Sequence, residues 1–261
     1  MSSTYWQDRV ANSQNKISQK NIKQIEAQMA KYYEQTMQRV ISDFEATYNK
    51  LLATMEAGKE PTPADLYKLD KYWQMQAQMR IELEKLGKKK IALLSKYFEL
   101  DWFEVYYSIG IKGANAFTTV DKATVQQLLQ QIWCADGKTW AQRIWGDIED
   151  LAATLNEGLI HIVASGKTNR DLKNVLQARF GVSYSNADML VRTEVAHIQT
   201  QAAQQRYRDY GVREVEVWAD EDERRCEVCG KLHQKRYSIN AAMPIPAHPR
   251  CRCTIVPVVE E

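Results

Sequence analysis

The N-terminal stretch of the chain has the clearest periodic pattern of apolar and polar positions. Between Ser13 and Met55 there is no proline or glycine, and most residues are Gln, Lys, Glu, Ala, Met or Ile. Apolar residues recur at steps of three and four positions, which is the spacing of one face of an α-helix. The pattern predicts a long helix whose buried face contains Ile22, Ile25, Met29, Tyr33, Met37, Val40, Ile41, Phe44, Tyr48 and Leu51.

The segment "AGKEPTP" interrupts this pattern at Gly58 and predicts that a new helix begins after it. Thr62 suits the N-cap, Pro63 suits the first helical position, and Asp65 suits the positive end of the helix dipole. The second helix is expected to pause at Gly87, where the basic triplet 88–90 follows.

An aromatic-rich segment, "KYFELDWFEVYYSIGIKG", comes next. Aromatic side chains dominate both protein cores and protein interfaces, and we favour a helix that packs them into the core. Gly110 and Gly113 mark a connection. We therefore expect residues 1–112 to form a helical arm suited to protein contacts and residues 113–261 to form a second domain.

The second domain begins with another helical set. Apolar residues at 125–132 start it, and a stripe at helical spacing extends from Trp140 to Ile162. Thr168 is expected to cap a short helix that closes at Gly181, and a further helix is expected between Ser185 and Gly211.

Two short stretches near the C-terminal end have the character of strands. "REVEVWA" alternates polar and apolar residues, and "CTIVPVV" is expected to be a closing strand. The predicted fold class is mainly α, with long N-terminal helices, a second helical set and a small α+β module at about 212–258.

The composition narrows the class of protein. The chain has 261 residues, 44% hydrophobic and 26% charged, which argues against a disordered or low-complexity protein. The formal net charge is only +2, so any nucleic-acid contact requires a local basic patch. No apolar run approaches the roughly 20 residues that cross a bilayer. The N-terminus lacks the apolar core of a signal peptide, and we expect the protein to be made in a reducing cytoplasm.

The cysteines gather in two short pieces that predict a metal centre. "RRCEVCGKLH" contains Cys226 and Cys229, a C-x2-C pair followed by glycine, and "PAHPRCRC" contains His248, Cys251 and Cys253. In a reducing compartment such clusters indicate metal binding or catalysis before structural disulfides. C-x2-C is a good half-site for zinc, and a tetrahedral site has room for two of the three later donors. The sequence thus predicts a structural Zn²⁺ site.

Which two donors complete the site stays open. In an extended segment Cys251 and Cys253 point to the same side, so both can bind. We expect His248 to bind together with one of them, and His233 to be a surface loop residue. The acidic residues near the first pair, Glu221, Asp222, Glu223 and Glu227, are expected to form a solvated loop and not to supply a catalytic base.

Other sequence features carry less specific chemistry. Arg192 and Glu194 lie on an amphipathic helix, where a catalytic pair is conceivable but a solvated face is favoured. Cys134 is expected to be a core residue on an apolar helix face. Several basic residues surround the cysteines and favour a phosphate-binding surface, although the acidic residues among them weaken that interpretation. They are Arg206, Arg208, Arg213, Arg224, Arg225, Lys231, Lys235, Arg236, Arg250 and Arg252.

The segment from about Asn186 to Val258 resembles the C-terminal domain of phage head-morphogenesis proteins, the minor head (minor capsid) proteins of tailed bacteriophages that include the Mu F-like group. The resemblance rests on an ordered set of residues: Arg192, Thr193, Glu194, Trp218, Asp220, Cys226, Cys229, Pro246, His248, Pro249, Cys251, Arg252 and Cys253.

The resemblance implies a virion protein that is incorporated in few copies into the procapsid, associates with the portal protein and with capsid or scaffold proteins, and in some members contacts DNA. It implies a structural component and not an enzyme. Some relatives carry this domain fused to toxin enzymes, and we expect no such domain after Glu261. Two alternatives remain: a zinc-stabilised, non-specific DNA-binding protein, and a metal-dependent enzyme using Arg192 and Glu194.

Overall fold

The structure is a computed structural model that describes Tyr5 and residues 7–55, 59–111, 118–219 and 225–259, with the backbone alone for residues 7 and 8. The described residues are mainly helical with one small sheet, which confirms the predicted fold class. The elements are a π-helical turn Gln7–Ala11, α1 (Asn12–Thr54), α2 (Pro63–Tyr67), α3 (Asp70–Ser108), α4 (Lys122–Leu128), α5 (Trp140–Ala164), α6 (Asn169–Asp209), β1 (Glu214–Trp218), α7 (Glu227–Leu232), β2 (Arg236–Ser238) and β3 (Thr254–Val258).

The predicted N-terminus of α2 is confirmed in detail. The Asp65 backbone N–H donates to Thr62 Oγ1 at 3.3 Å, and the Thr62 backbone N–H donates to Asp65 Oδ2 at 3.2 Å. This reciprocal pair is a capping box, and Pro63 occupies the first turn, where a missing N–H costs nothing. Gly58, the predicted break, lies outside the described residues.

The predicted pause at Gly87 is wrong, because α3 continues through it to Ser108. A Cβ built on Gly87 would lie 2.6 Å from the Trp145 ring, so the glycine permits a close helix contact and does not end the helix. Lys90 of the basic triplet is consequently not on a solvated connection but buried, with 1% exposure.

The predicted break between Gly181 and Ser185 is also wrong, since α6 is one continuous helix. Glycine inside a helix costs only about 1 kcal/mol relative to alanine. Phe180, Ser183 and Ala187 are all buried around this point, so tertiary packing outweighs that cost. The helix ends, as predicted, just before Gly211, whose φ of 74° suits a helix C-terminus.

The segment after α4 differs from the prediction of a longer helix. The helix ends at Leu128, and Cys134 is half-buried in a bend outside any helix. Ile132 is exposed. The Trp140 indole N–H donates to the Leu129 carbonyl at 2.9 Å, which ties the end of this connection to its start.

The three strands form an antiparallel sheet in the order β2-β1-β3. Both predicted strands are confirmed as β1 and β3, and Glu216 pairs with Val256 at the centre of their register. Tyr207 of α6 donates its hydroxyl to the Ile255 carbonyl at 3.1 Å. The sheet is therefore held to the last turns of the long helix that precedes it.

The chain forms two compact units, each assembled from several sequence segments. The first contains Met1–Glu26, Leu93–Trp140 and Asp188–Glu261, and the second contains Ala27–Ala92 and Ala141–Ala187. The predicted division is a single cut near residue 113, whereas each compact unit combines several segments of the chain. Residues 112–117 lie outside the described residues. The two-domain division therefore stays a prediction.

The aromatic segment supplies part of the core of the first unit, as expected. Trp102 and Tyr106 are fully buried and stack with ring centroids 5.0 Å apart, and Phe98 meets Trp140 edge to face at 5.3 Å. Tyr107, in contrast, is exposed. The core interpretation holds for most of this segment.

The second unit encloses a buried polar cluster, which we call the Lys90 cluster: Tyr33, Lys90, Asp147 and Ser183. Lys90 Nζ lies 2.9 Å from Asp147 Oδ2 and 2.8 Å from the Tyr33 hydroxyl. Ser183 donates its hydroxyl to the same Asp147 oxygen at 2.8 Å. Burial lowers the pKa of Lys90, and the carboxylate partner opposes that shift.

Within the described residues, no helix combines the length and the apolar character that crossing a bilayer requires.

Candidate metal centre

The first half-site, Cys226 and Cys229, is organised by the start of α7. Cys226 is the N-cap of this six-residue helix, and its Sγ accepts the Cys229 backbone N–H at 3.4 Å. An N-cap side chain ordinarily accepts from the first-turn amides, and here a sulfur takes that role. The same hydrogen bond holds the pKa of the Cys226 thiol below its usual range.

The pair lies at the start of a short helix, with Cys226 as its N-cap and Cys229 inside it. Gly230 lies within α7, and its N–H donates to the Cys226 carbonyl at 2.9 Å. The glycine is thus not required for a left-handed turn. The spacing still brings both sulfurs to one side, because residues three positions apart on a helix are neighbours.

The second half-site, His248, Cys251 and Cys253, lies on the connection between β2 and β3. The Cys251 N–H donates to the His248 carbonyl at 3.2 Å and closes a turn. His248 Nδ1 lies 2.8 Å from the Pro249 carbonyl oxygen. A carbonyl oxygen can only accept, so Nδ1 carries the proton and Nε2 presents a lone pair. That hydrogen bond also raises the pKa of His248.

The two half-sites converge. His248 Nε2 lies 3.3 Å from Cys226 Sγ and 3.0 Å from Cys229 Sγ. Cys229 Sγ also lies 3.8 Å from Cys251 Sγ. Donor atoms within 4.8 Å of one another form two groups that share Cys229: one with Cys226 and His248, the other with Cys251 and Cys253. All five residues predicted from the sequence are therefore brought together.

These separations suit a tetrahedral ion. Zinc–sulfur bonds of about 2.3 Å in tetrahedral geometry place two sulfurs about 3.8 Å apart, and a sulfur and a histidine nitrogen about 3.6 Å apart. The sulfur–sulfur distance matches that value, and the nitrogen–sulfur distances are somewhat shorter. Cysteine and histidine together are the donor set that zinc prefers. The geometry can accommodate a metal ion.

The buried thiols differ in their pKa values although they are similarly buried. Cys229, Cys251 and Cys253 are 4%, 3% and 8% exposed, and none of the described cysteines forms a disulfide. Burial raises the pKa of Cys229 to about 12, whereas the hydrogen bond from the Cys253 thiol lowers the pKa of Cys251 to about 5. A bound cation would favour the thiolate at every position it touches.

Three arginines line the cleft at this cluster: Arg225, Arg250 and Arg252. All three are exposed. Residues 220–224 lie outside the described residues, and they include three of the four acidic residues expected to form a solvated loop. The fourth, Glu227, is exposed and pairs with Lys231 at 2.6 Å. Neither donor group contains a carboxylate among the described residues.

The remaining candidates take part in other contacts. His233 Nδ1 accepts the Ala219 backbone N–H at 3.2 Å, and its ring meets Trp218 edge to face, so it is a half-buried partner of the β1 end and not a simple surface residue. Glu194 is buried and accepts the Trp133 indole N–H at 3.0 Å. Arg192 pairs with Asp188 at 3.0 Å and with Glu26.

Asp188 contacts the loop of the second half-site, which the sequence did not predict. Its carboxylate contacts Arg250, 62 positions later in the chain. The only sequence signal was the four-residue spacing from Asp188 to Arg192, which is common on solvated helices.

Residues 153–256 match the sequence profile of the family described as phage Mu protein F like protein. This part of the chain is similar to the Mu F-like proteins. The resemblance predicted from the sequence is thereby confirmed for a region that contains α6, β1, both half-sites and parts of α5 and β3. No curated protein and no solved structure matches the chain. The Mu F-like match is consistent with the phage head-morphogenesis family.

Proposed function

We propose that this chain is a structural protein of phage head morphogenesis: a minor head (minor capsid) protein of a tailed bacteriophage, located in the virion at the head interior or portal vertex. The single observation that carries this proposal is the Mu F-like match, which includes every donor of the metal centre. The match supports the head-morphogenesis role. The finer assignment is an inference from the family resemblance.

We further propose that the metal centre holds a structural Zn²⁺. Cys226 and Cys229 would bind with His248 and one thiolate of the Cys251–Cys253 pair, and the convergence of these donor atoms supports the assignment. The ion would cross-link the start of α7 to the loop before β3. Because such sites form only in the folded chain, binding free energy becomes folding free energy.

The proposed partners are the portal protein and capsid or scaffold proteins. Exposed aromatic side chains support protein contact, since these residues are enriched at interfaces. In the second unit Tyr67 and Trp73 are exposed and stack with ring centroids 6.3 Å apart. We propose this pair as part of the surface that meets another head protein.

A DNA-binding protein is the second candidate function. It is favoured by the three exposed arginines that line the metal cleft, because guanidinium groups suit phosphate oxygens. An enzyme using Arg192 and Glu194 is less favoured. Arg192 pairs with acidic side chains, whereas Glu194 is a buried partner of Trp133. The two residues are two positions apart on a helix, so they do not face each other.

Co-purification of the full chain with the portal protein encoded by the same phage tests the head-protein proposal. We expect stable co-elution for wild type and reduced co-elution for the variant Tyr67→Ala with Trp73→Ala. Tyr107→Ala, another exposed aromatic, is the matched control and should retain wild-type co-elution if the chosen pair is the contact.

The same preparation separates the two functions. DNA retention that falls steeply with salt, without any portal binding, would replace the head-protein proposal by the DNA-binding one. Metal analysis of protein purified under reducing conditions should give about one zinc per chain for the proposed mononuclear site. A content far below one would contradict the structural zinc.

A further inference from the structure

The second half-site contains a residue in an unfavourable backbone conformation. Arg250 has a φ of 60°, in the left-handed region that non-glycine residues rarely adopt. It lies between His248 and Cys251, so its φ and ψ set the direction in which these two donors face. The closing hydrogen bond of the turn, from the Cys251 N–H to the His248 carbonyl, spans this residue. Something outside the turn must therefore hold Arg250.

Helix α6 holds it at two points. The Arg250 backbone N–H donates to Thr193 Oγ1 at 3.0 Å, and an Arg250 Nη2 donates to Asp188 Oδ2 at 2.7 Å. The backbone hydrogen bond fixes the position of the Pro249–Arg250 peptide group. The side-chain hydrogen bond fixes the direction of the Arg250 side chain.

Both helix residues are themselves fixed. The Thr193 hydroxyl donates to the Met189 carbonyl one turn earlier at 2.7 Å, so its lone pairs are free to face Arg250. The other oxygen of Asp188 accepts Arg192 Nε at 3.0 Å, and its side chain is only 15% exposed. The helix thus presents two oriented acceptors to the loop.

We propose that Thr193 and Asp188 are positioning residues of the metal centre, which fix Arg250 so that the second half-site faces the first. The inference rests on the proposed zinc site. It predicts that a hydroxyl and a carboxylate on α6, neither of which touches the metal, set the affinity for zinc. Supporting residues of this kind change metal affinity by about 10- to 100-fold.

The test measures zinc affinity of the full chain by competition with a chromophoric chelator at fixed pH. Thr193→Val removes the acceptor for the Arg250 N–H, and we expect about tenfold weaker binding, the lower end of that range because the loop is near water. Thr193→Ser keeps the hydroxyl and should stay within about twofold of wild type. Asp188→Asn should lose up to about fivefold, since its arginine partner is half exposed.

Thr200→Val is the matched control. Thr200 lies on the same helix and donates its hydroxyl to the Ala196 carbonyl at 2.9 Å, as Thr193 does to Met189. The Thr200→Val variant therefore loses a hydroxyl-to-carbonyl hydrogen bond within α6, as Thr193→Val does, but it loses no hydrogen bond to the metal loop. Thermal unfolding in excess chelator reports the stability of the metal-free chain, without the contribution of the metal. A purely structural role of Thr193 would lower that midpoint in Thr193→Val and leave zinc affinity at the wild-type value.

Two results would overturn the inference. Equal zinc affinity in Thr193→Val and wild type would remove the positioning role while leaving the metal centre in place. An equal loss in Thr200→Val would assign the effect to the helix and not to the loop. Failure of wild type itself to bind zinc would overturn the proposed metal centre first, and the positioning role with it.

Discussion

The Lys90 cluster and the thiol cluster of the metal centre are two buried polar sites with different sources of charge balance. In the Lys90 cluster the protein supplies both signs: a 1% exposed ammonium lies 2.9 Å from Asp147, and two hydroxyls complete the network. In the thiol cluster three cysteines are nearly as buried, but the arginines that line the cleft are exposed.

The two sites therefore have different requirements for stability. A buried charge is tolerated when a partner of opposite sign lies close and the remaining donors and acceptors are satisfied. The Lys90 cluster meets that condition with side chains alone. Among the described residues the thiol cluster contains no cation of its own, and a metal ion among the sulfurs would favour the thiolate form and balance its charge, so we expect a metal at this site. Four predictions test this contrast.

The largest effect is expected for Cys229→Ser. Cys229 belongs to both donor groups, and on the order of 10 kcal/mol of binding free energy depends on a complete site. We expect loss of stoichiometric zinc and unfolding of the module at about 212–258, measured by metal analysis and by protease sensitivity. The control variant is Cys134→Ser, whose changed residue lies outside the thiol cluster. This variant should bind zinc as wild type does. Retention of zinc by Cys229→Ser would contradict the proposal that a metal balances the thiol cluster, and with it the contrast to the Lys90 cluster.

Lys90→Met should destabilise the second unit by about 3 kcal/mol, the lower end of the range for a broken buried ion pair, because it leaves Asp147, whose side chain is 15% exposed, without its cation. Urea-induced unfolding measures this loss, and zinc content should not change. Lys89→Met is the matched control: this neighbour is exposed, so we expect a change within about 0.5 kcal/mol. A double change to Lys90→Met and Asp147→Leu should recover most of the stability. A double variant as unstable as the single one would argue that the ion pair is not the cause.

Asp101 is a buried carboxyl that, unlike Asp147, has no lysine partner in the described contacts. The Asn21 amide donates a hydrogen bond to it at 2.9 Å. Burial raises the pKa of Asp101 to about 7, above its ordinary value of 3.8. The stabilising contribution is thus present below pH 4 and is lost as the pH rises through about 7. Relative to Asp101→Asn, wild type should lose on the order of 3 kcal/mol between pH 4 and pH 8. Parallel stability profiles of the two proteins would contradict the raised pKa.

The smallest effect is expected for Cys253→Ser. The sulfur of Cys251 lies at the separation expected for a shared tetrahedral ion from Cys229, so we expect Cys251 to bind and Cys253 to support it. Zinc affinity should fall about tenfold in Cys253→Ser and by more than about 100-fold in Cys251→Ser. The same chelator competition measures both, and the reverse order would assign the metal to Cys253.

Local sequence signals predicted the parts of the fold that depend on local chemistry. The capping residues Thr62 and Asp65, the strands β1 and β3, and the start of α1 all follow from periodicity and caps. The same signals failed at Gly87 and Gly181, where glycine suggested an end and the helix continued. A glycine in a helix costs little, so packing on either side decides its outcome.

The donor chemistry of the metal centre is readable from local spacing, because C-x2-C and the later H-x2-C-x-C place soft ligands within a few residues of one another. How the half-sites meet, and which residues support them, depends on long-range packing. Thr193 and Asp188 are 57 and 62 positions from Arg250. The Lys90 cluster likewise joins residues 33, 90, 147 and 183. Such contacts leave no local periodicity, since they arise from the packing of helices that are far apart in the chain.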